Sequence, residues 1–259
     1  DSPPWFPSLT TGGDAIAMVD GDRRVTYSEL HDRVGCVTAG LLDGAESLEE
    51  ERVAFLYSAS PEYAALIIGI VAAGGIAVPL SVHASPAELA HCLSVAGSSR
   101  LLLPEVLRSD ELSLVCNEYG ISQLDISDLP EGRMPDTLPI SAEQGALIVF
   151  TSGTTGKPKG VVHTVASVSA MVTSLIEAWG WQEGDVIPLF LPLHHVHGIV
   201  NILLCALWRG ATVYAYGRFD AERICEAVAE NRFSVFMAGP TIYVKIIAYL
   251  KTLSGTERE

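Results

Sequence analysis

Residues Ala146–Phe150 read A-L-I-V-F and run directly into Thr151-Ser152-Gly153-Thr154-Thr155-Gly156-Lys157-Pro158-Lys159-Gly160. The first part is an apolar run of strand length, and the second is a dense set of turn formers. Gly153, Gly156 and Gly160 let a backbone curl so that successive N–H groups converge on an anion. Thr151, Ser152, Thr154 and Thr155 add hydroxyls that can donate to phosphate oxygens, and Lys157 and Lys159 add positive charge. A solvated surface loop uses the same residue types, but such a stretch abutting a buried strand points to phosphate binding. It is not a G-x-x-x-x-G-K-[ST] loop. Thr stands at 151 in place of the first glycine, and Pro stands at 158 where that motif needs a magnesium-binding hydroxyl.

Outward from this stretch the chain alternates strand and helix. Thr26 and Glu29 have capping-box spacing, and Leu30, Val34, Val37, Leu41 and Leu42 fall on one helical face. Val53–Tyr57 reads as a strand, Ser60-Pro61 opens a helix that ends at Gly74-Gly75, and Ile76–Leu80 reads as the next strand. Ser85, Pro86 and Glu88 open a further helix, and Leu101–Leu103 is strand-like. Asp125 to Glu143 is a long polar connection. The Gly/Thr/Lys loop is expected to lead into a helix through Trp179. Val186–Phe190, Thr212–Ala215 and Val235–Ala238 are expected strands separated by helices, with a last helix beginning near Thr241. Buried strands alternating with helices predict an α/β fold with a mostly parallel sheet covered on both faces.

Tyr63 to Val82 carries no charge and is long enough for a bilayer span. Gly74-Gly75 and Pro79 interrupt it, so a buried helix, turn and strand is the better reading and a soluble protein is expected. The sequence holds 31 acidic and 16 basic residues, a formal net charge of -15, which argues against nucleic acid as a partner. Cys36, Cys92, Cys116, Cys205 and Cys225 form no C-x-x-C pair, in keeping with a reducing, intracellular compartment. The sequence begins at Asp1, so cytoplasm and mitochondrial matrix both remain open.

The ten residues Thr151–Gly160 resemble the phosphate-binding signature of the adenylate-forming superfamily, which includes acyl-CoA synthetases, luciferases and peptide-synthetase adenylation domains. Val25-Thr26-Tyr27-Ser28-Glu29-Leu30, Ala72-Ala73-Gly74-Gly75-Ile76-Ala77-Val78-Pro79-Leu80 and Pro192-Leu193-His194-His195-Val196-His197-Gly198 resemble three further elements of that family, in order. Leu191–Asn201 and Val235–Tyr243 are most similar to malonyl-CoA synthetases. The resemblance implies two adjoining, mostly parallel sheets with flanking helices. Residues 1–49 and 179–259 would form one discontinuous subdomain, and residues 50–178 a second one carrying the phosphate loop. The family's adenine- and ribose-binding elements and its mobile C-terminal domain have no counterpart here, so a truncated N-terminal fragment is expected, defective in ligation alone. The implied reaction is acyl-adenylate formation from ATP and a carboxylic acid, with Mg2+, followed by transfer to coenzyme A.

The resemblance places Thr151, Ser152, Gly153, Thr154, Thr155, Gly156, Lys157 and Lys159 at the nucleotide phosphates. It makes Lys159 and His195 the catalytic candidates. Lys157 is a competitor for the role of Lys159. His194, His195 and His197 admit three readings: a metal site lacking further ligands, structural polar groups, or a substrate-site element centred on His195. Malonate needs a cation for its second carboxylate, and Arg209, Arg218, Arg232 and Lys245 are candidates that sequence does not separate. Another short- or medium-chain acid, transfer to a carrier protein, and a nucleotide-binding module without chemistry stay open, as does the oligomeric state.

Overall fold

The computed structural model describes residues 5–151 and 157–253. In chain order its strands are β1 (Ile16–Asp20), β2 (Arg23–Thr26), β3 (Arg52–Phe55), β4 (Ile76–Pro79), β5 (Arg100–Leu102), β6 (Ser122–Leu124), β7 (Gly145–Thr151), β8 (Lys159–Thr164), β9 (Val186–Leu189) and β10 (Thr212–Ala215). The helices are α1 (Pro7–Thr11), α2 (Tyr27–Leu42), α3 (Pro61–Ala72), α4 (Pro86–Ala96), α5 (Asp110–Tyr119), α6 (Val165–Trp179), α7 (Cys205–Arg209), α8 (Ala221–Ala229) and α9 (Pro240–Thr252).

The strands form two sheets, ordered β2-β1-β10-β9 and β6-β5-β3-β4-β7-β8. In the smaller sheet β1, β10 and β9 are parallel and β2 is antiparallel to β1. In the larger sheet each neighbouring pair is parallel except β7 and β8. The expected α/β architecture with two adjoining, mostly parallel sheets is the one observed. β1 was absent from the sequence reading. Its signal is the Asp20-Gly21-Asp22 turn: Asp20 pairs with Arg23, leaving a two-residue hairpin loop.

The two central helices begin where their caps dictate. Thr26 Oγ1 accepts from Glu29 N at 3.1 Å while Glu29 Oε2 accepts from Thr26 N at 2.9 Å. Ser60 Oγ accepts from Tyr63 N at 3.1 Å, ahead of Pro61 at the first helical position. Every residue of α3 except Glu62 is buried. The long uncharged stretch of sequence is therefore the helix at the centre of the core, and among the described residues no helix is long and apolar enough to cross a membrane. The connection from Asp125 to Glu143 holds one short 3₁₀ turn, Ile126–Asp128, and its Leu129, Pro130, Gly132 and Met134 lie against α2. Gly35 and Gly40 make that approach possible: a Cβ on Gly35 would sit 2.5 Å from Met134 N, and one on Gly40 2.8 Å from Pro130 O.

Two expectations need correction. Val235–Ala238 is not a strand. The Ser234 and Val235 N–H groups both reach the Val186 carbonyl, at 3.0 and 3.1 Å, so the segment touches β9 at one end without forming a ladder. Its side chains nevertheless pack, with the Phe236 ring 5.7 Å from Phe190. The glycine-rich loop does not lead directly into a helix either. It joins β7 to the antiparallel β8, and α6 starts only at Val165, capped by Thr164.

Candidate functional site

β7 is buried from Gly145 to Val149 and ends at the exposed Thr151, which pairs with Lys159 of the edge strand β8 as Phe150 pairs with Gly160. Lys159 is thus the first residue of a strand, not a loop residue, and both Lys157 and Lys159 are exposed. Ser152, Gly153, Thr154, Thr155 and Gly156 lie outside the described residues. Because β8 intervenes before α6, no helix N-terminus directly follows the loop. The stem has a support that sequence did not reveal. His91 of α4 bonds through Nε2 to the Pro158 carbonyl at 2.9 Å. A carbonyl only accepts, so this ring nitrogen carries the proton.

The chain leaves β9 through Phe190 and Leu191 and turns at Pro192-Leu193-His194-His195. It enters a π-helical stretch, His197–Leu204, continuous with α7. Gly198 is required by close approach, since a Cβ there would stand 2.6 Å from the Pro192 carbonyl oxygen. The turn is tied to the other sheet's helix layer by Tyr63 of α3, whose fully buried hydroxyl donates to the Leu193 carbonyl at 2.6 Å. Burial pushes that phenol well above its ordinary pKa, so it remains a donor.

The His194 and His195 rings lie 4.2 Å apart. Burial first, then the imidazoles of His195 and His83, pushes His194 down to about 4, leaving it neutral near pH 7. His195 and His197 are exposed. Among the described residues no group of three His, Cys, Asp or Glu side chains is placed to hold a metal ion.

Between the two sheets, beyond the C-terminal ends of β3, β4, β9 and β10, lies a cleft of about 210 Å³. Tyr57, Ser81, His83, His194 and Arg218 supply polar groups to its lining, and Phe190 and Leu191 supply apolar ones. The carboxyl ends of strands are where open α/β sheets place ligands. Tyr57 accepts from the Ile126 N–H at 3.4 Å, and its phenol is pushed up to about 12, chiefly by burial. Thr151, Lys157, Lys159 and His195 do not line this cleft. The first three stand at the β7–β8 hairpin, next to β4 in the sheet, and His195 adjoins His194 at the cleft's edge.

The structure also separates the four candidate cations. Arg209 donates from Nε to the Trp181 carbonyl at 3.1 Å and lines a different cavity, with Glu183. Arg232 pairs with Glu230 and sits 5.8 Å from the Tyr214 ring centroid. Lys245 is an exposed residue of α9. Arg218 alone of the four lines the cleft. Tyr63, His83 and His91 were missed. Tyr63 and His91 bond to residues distant in sequence, and His83 reaches the cleft only through the fold, so none has a local signal.

Comparison with known proteins shows the family and the fold. The family model for AMP-binding enzyme matches residues 8–258, and the chain belongs to that family. The mitochondrial malonate–CoA ligase of Homo sapiens is 38% identical over 96% of this chain and 45% of its own length. The malonate–CoA ligase of Arabidopsis thaliana is 32% identical over 79% of this chain and 37% of its own. A malonyl-CoA ligase solved as a ternary product complex with methylmalonyl-CoA and AMP is 32% identical, with a TM-score of 0.81 over 96% of this chain and 52% of that one. Apo MatB from Rhodopseudomonas palustris, at 23% identity, shares the fold with a TM-score of 0.83 over 94% of this chain and 50% of that one. The chain spans about half the length of the curated relatives it matches.

Proposed function

We propose that the whole protein to which this AMP-binding chain belongs is an AMP-forming acid–thiol ligase that activates malonate and transfers it to coenzyme A. The observation that carries this reading is the 38% identity, over nearly the whole chain, to a ligase named for malonate. An oxygen of the acid's carboxylate attacks the α-phosphorus of ATP, and the bond to pyrophosphate breaks. The thiol sulfur of coenzyme A then attacks the acyl carbonyl, AMP leaves, and the thiol proton is lost. Mg2+ would travel on the triphosphate.

In this reading Thr151, Ser152, Gly153, Thr154, Thr155, Gly156 and Lys157 surround the phosphates, and Lys159 meets charge growing on the departing pyrophosphate. His195, beside the neutral His194, stands on the path to the adenylate. The two sheets are two subdomains, the larger centred on residues 50–178 and the smaller built from 1–49 and 179–259. A mitochondrial location follows the human relative's name, and a cytoplasmic one is the alternative.

ATP–pyrophosphate exchange by the whole protein tests the reading, with malonate, acetate and a long fatty acid compared. Malonate is expected to support exchange far better than the other two. Equal exchange with acetate would keep the family and remove malonate. Nucleotide binding without exchange for any acid would favour a binding module. The 259-residue chain alone is expected to make little acyl-CoA.

A further inference from the structure

The cleft at the strand ends has a charge pattern opposite to that of the chain. The sequence carries a net -15, yet among the described residues no Asp or Glu lines this cleft, while the Arg218 guanidinium does, together with the imidazoles of His83 and the neutral His194. The groove along α2, by contrast, is lined by Glu29, Asp32, Glu62 and Glu131 with Arg33 as its one cation among the described residues. His83 follows β4 of the larger sheet and Arg218 follows β10 of the smaller one, so each sheet contributes a basic side chain to one cavity.

The arginines nearby are already engaged. Arg223 stacks 5.4 Å from the centroid of Tyr216, and Arg232 pairs with Glu230. Asp220, two residues from Arg218, spends its carboxylate on the Arg223 N–H at 3.1 Å as the cap of α8. Among the described residues Arg218 has no ion-pair, hydrogen-bond or ring partner. A guanidinium is a planar fork matched to two oxygens of a carboxylate or phosphate. Arg218 and His83 are both exposed at the mouth of this cleft, so the unpaired guanidinium is open to receive such a group from a ligand.

We propose that Arg218, supported by His83, recognises an oxyanion group of a substrate in this cleft. The inference rests on the ligase reading above. The oxyanion has three possible sources: the second carboxylate of the acid, a phosphate of coenzyme A, or the triphosphate of ATP. All share the same chemistry.

The test uses the whole protein with Arg218→Gln, Arg218→Lys and His83→Gln. KM is measured for malonate and its singly charged analogue acetate, for coenzyme A and phosphate-free pantetheine, and for ATP. Arg218→Gln is expected to raise KM about tenfold for one anionic substrate, the size of one lost charge-assisted hydrogen bond. The rise should be absent for that substrate's less charged analogue or, if ATP is the source, confined to ATP. Arg218→Lys should restore part of the loss, and His83→Gln should show a smaller effect on the same substrate. Unchanged KM values, or equal rises for charged and uncharged analogues, overturn the proposal. Should wild type form no thioester, the ligase reading fails by itself. Equilibrium binding of malonate, coenzyme A and ATP to wild type and Arg218→Gln then decides this inference separately, and equal affinities for all three overturn it.

Discussion

The β7–β8 hairpin and the cleft between the sheets are assembled by different means. The hairpin is local: Thr151 pairs with Lys159, and the glycines, hydroxyls and lysines between and beside them are sequence neighbours. The cleft is dispersed, drawing Tyr57, His83, His194 and Arg218 from four strand ends and both sheets. A local site carries its chemistry in composition, because one short segment must supply every group the ligand needs. A dispersed site needs only one or two suitable residues per segment, and each is individually unremarked. The first tolerates changes elsewhere in the fold, whereas the second depends on contacts that hold the two sheets in register.

Lys159→Ala attacks the local site and should give the largest effect. Adenylate formation, measured by pyrophosphate exchange in the whole protein, is expected to slow by about two to three orders of magnitude, with little change in acid binding. Thr154→Ala should cost less, because a neutral hydroxyl bonds more weakly than a cation. Exchange at the wild-type rate in Lys159→Ala would show that this residue meets no charge in the transition state.

Gly198→Ala probes the dispersed site through its backbone. The added Cβ meets the Pro192 oxygen at 2.6 Å and the Leu191 oxygen at 3.2 Å, so the turn bearing His194 and His195 must open. Overpacking of this kind costs up to about 3 kcal/mol. Denaturant unfolding should show a lower midpoint, and exchange activity should fall with it. An unchanged midpoint would mean the turn has slack that the close contact conceals.

Tyr63→Phe is milder. It removes the donor to the Leu193 carbonyl and leaves the ring packed against Phe55, whose centroid lies 5.1 Å away. A loss of about 1–2 kcal/mol is expected by urea unfolding. If the tie holds the His turn to α3, the KM for the acid rises while the loop's contribution to exchange is untouched. Parallel losses in both would merge the two regions into one unit.

The smallest effect concerns pH. His194 is held down to about 4 in the fold, against 6.5 for the free side chain. Its depressed pKa means that the unfolded chain binds a proton more readily. The stability contributed is therefore present above pH 6.5 and is lost as pH falls toward 4. His194→Gln should unfold in urea with a weaker dependence on pH between 7 and 5 than wild type. Identical dependence would show that His194 titrates normally in the folded protein.

Sequence reached the fold class because the apolar runs, caps and breakers are local. Ser60-Pro61 and the Thr26/Glu29 box start helices wherever they occur, and Gly74-Gly75 ends one. The β7 run and the residues after it were legible for the same reason. Val235–Ala238 shows the limit. It is apolar enough for a strand, but a strand needs a partner in register, and only Val235, with the preceding Ser234, reaches Val186. β8 is the converse, with its exposed Val161 and Val162 and a register set only by pairing to β7.

Sequence by itself determined that the chain is acidic, that its apolar runs and helix caps alternate in an α/β pattern, and that its glycines, hydroxyls and lysines concentrate in one segment, Thr151–Gly160. Tertiary structure decided that this loop spans an antiparallel hairpin rather than opening a helix. It also decided that His91 braces its stem, that Tyr63 ties the His turn to the other sheet's helix layer, and that Arg218 is the cation in the cleft. The physical reason is range. Caps, turns and hydrophobic period act over a few residues, whereas a hydrogen bond between residues 130 positions apart exists only once the core has closed around it.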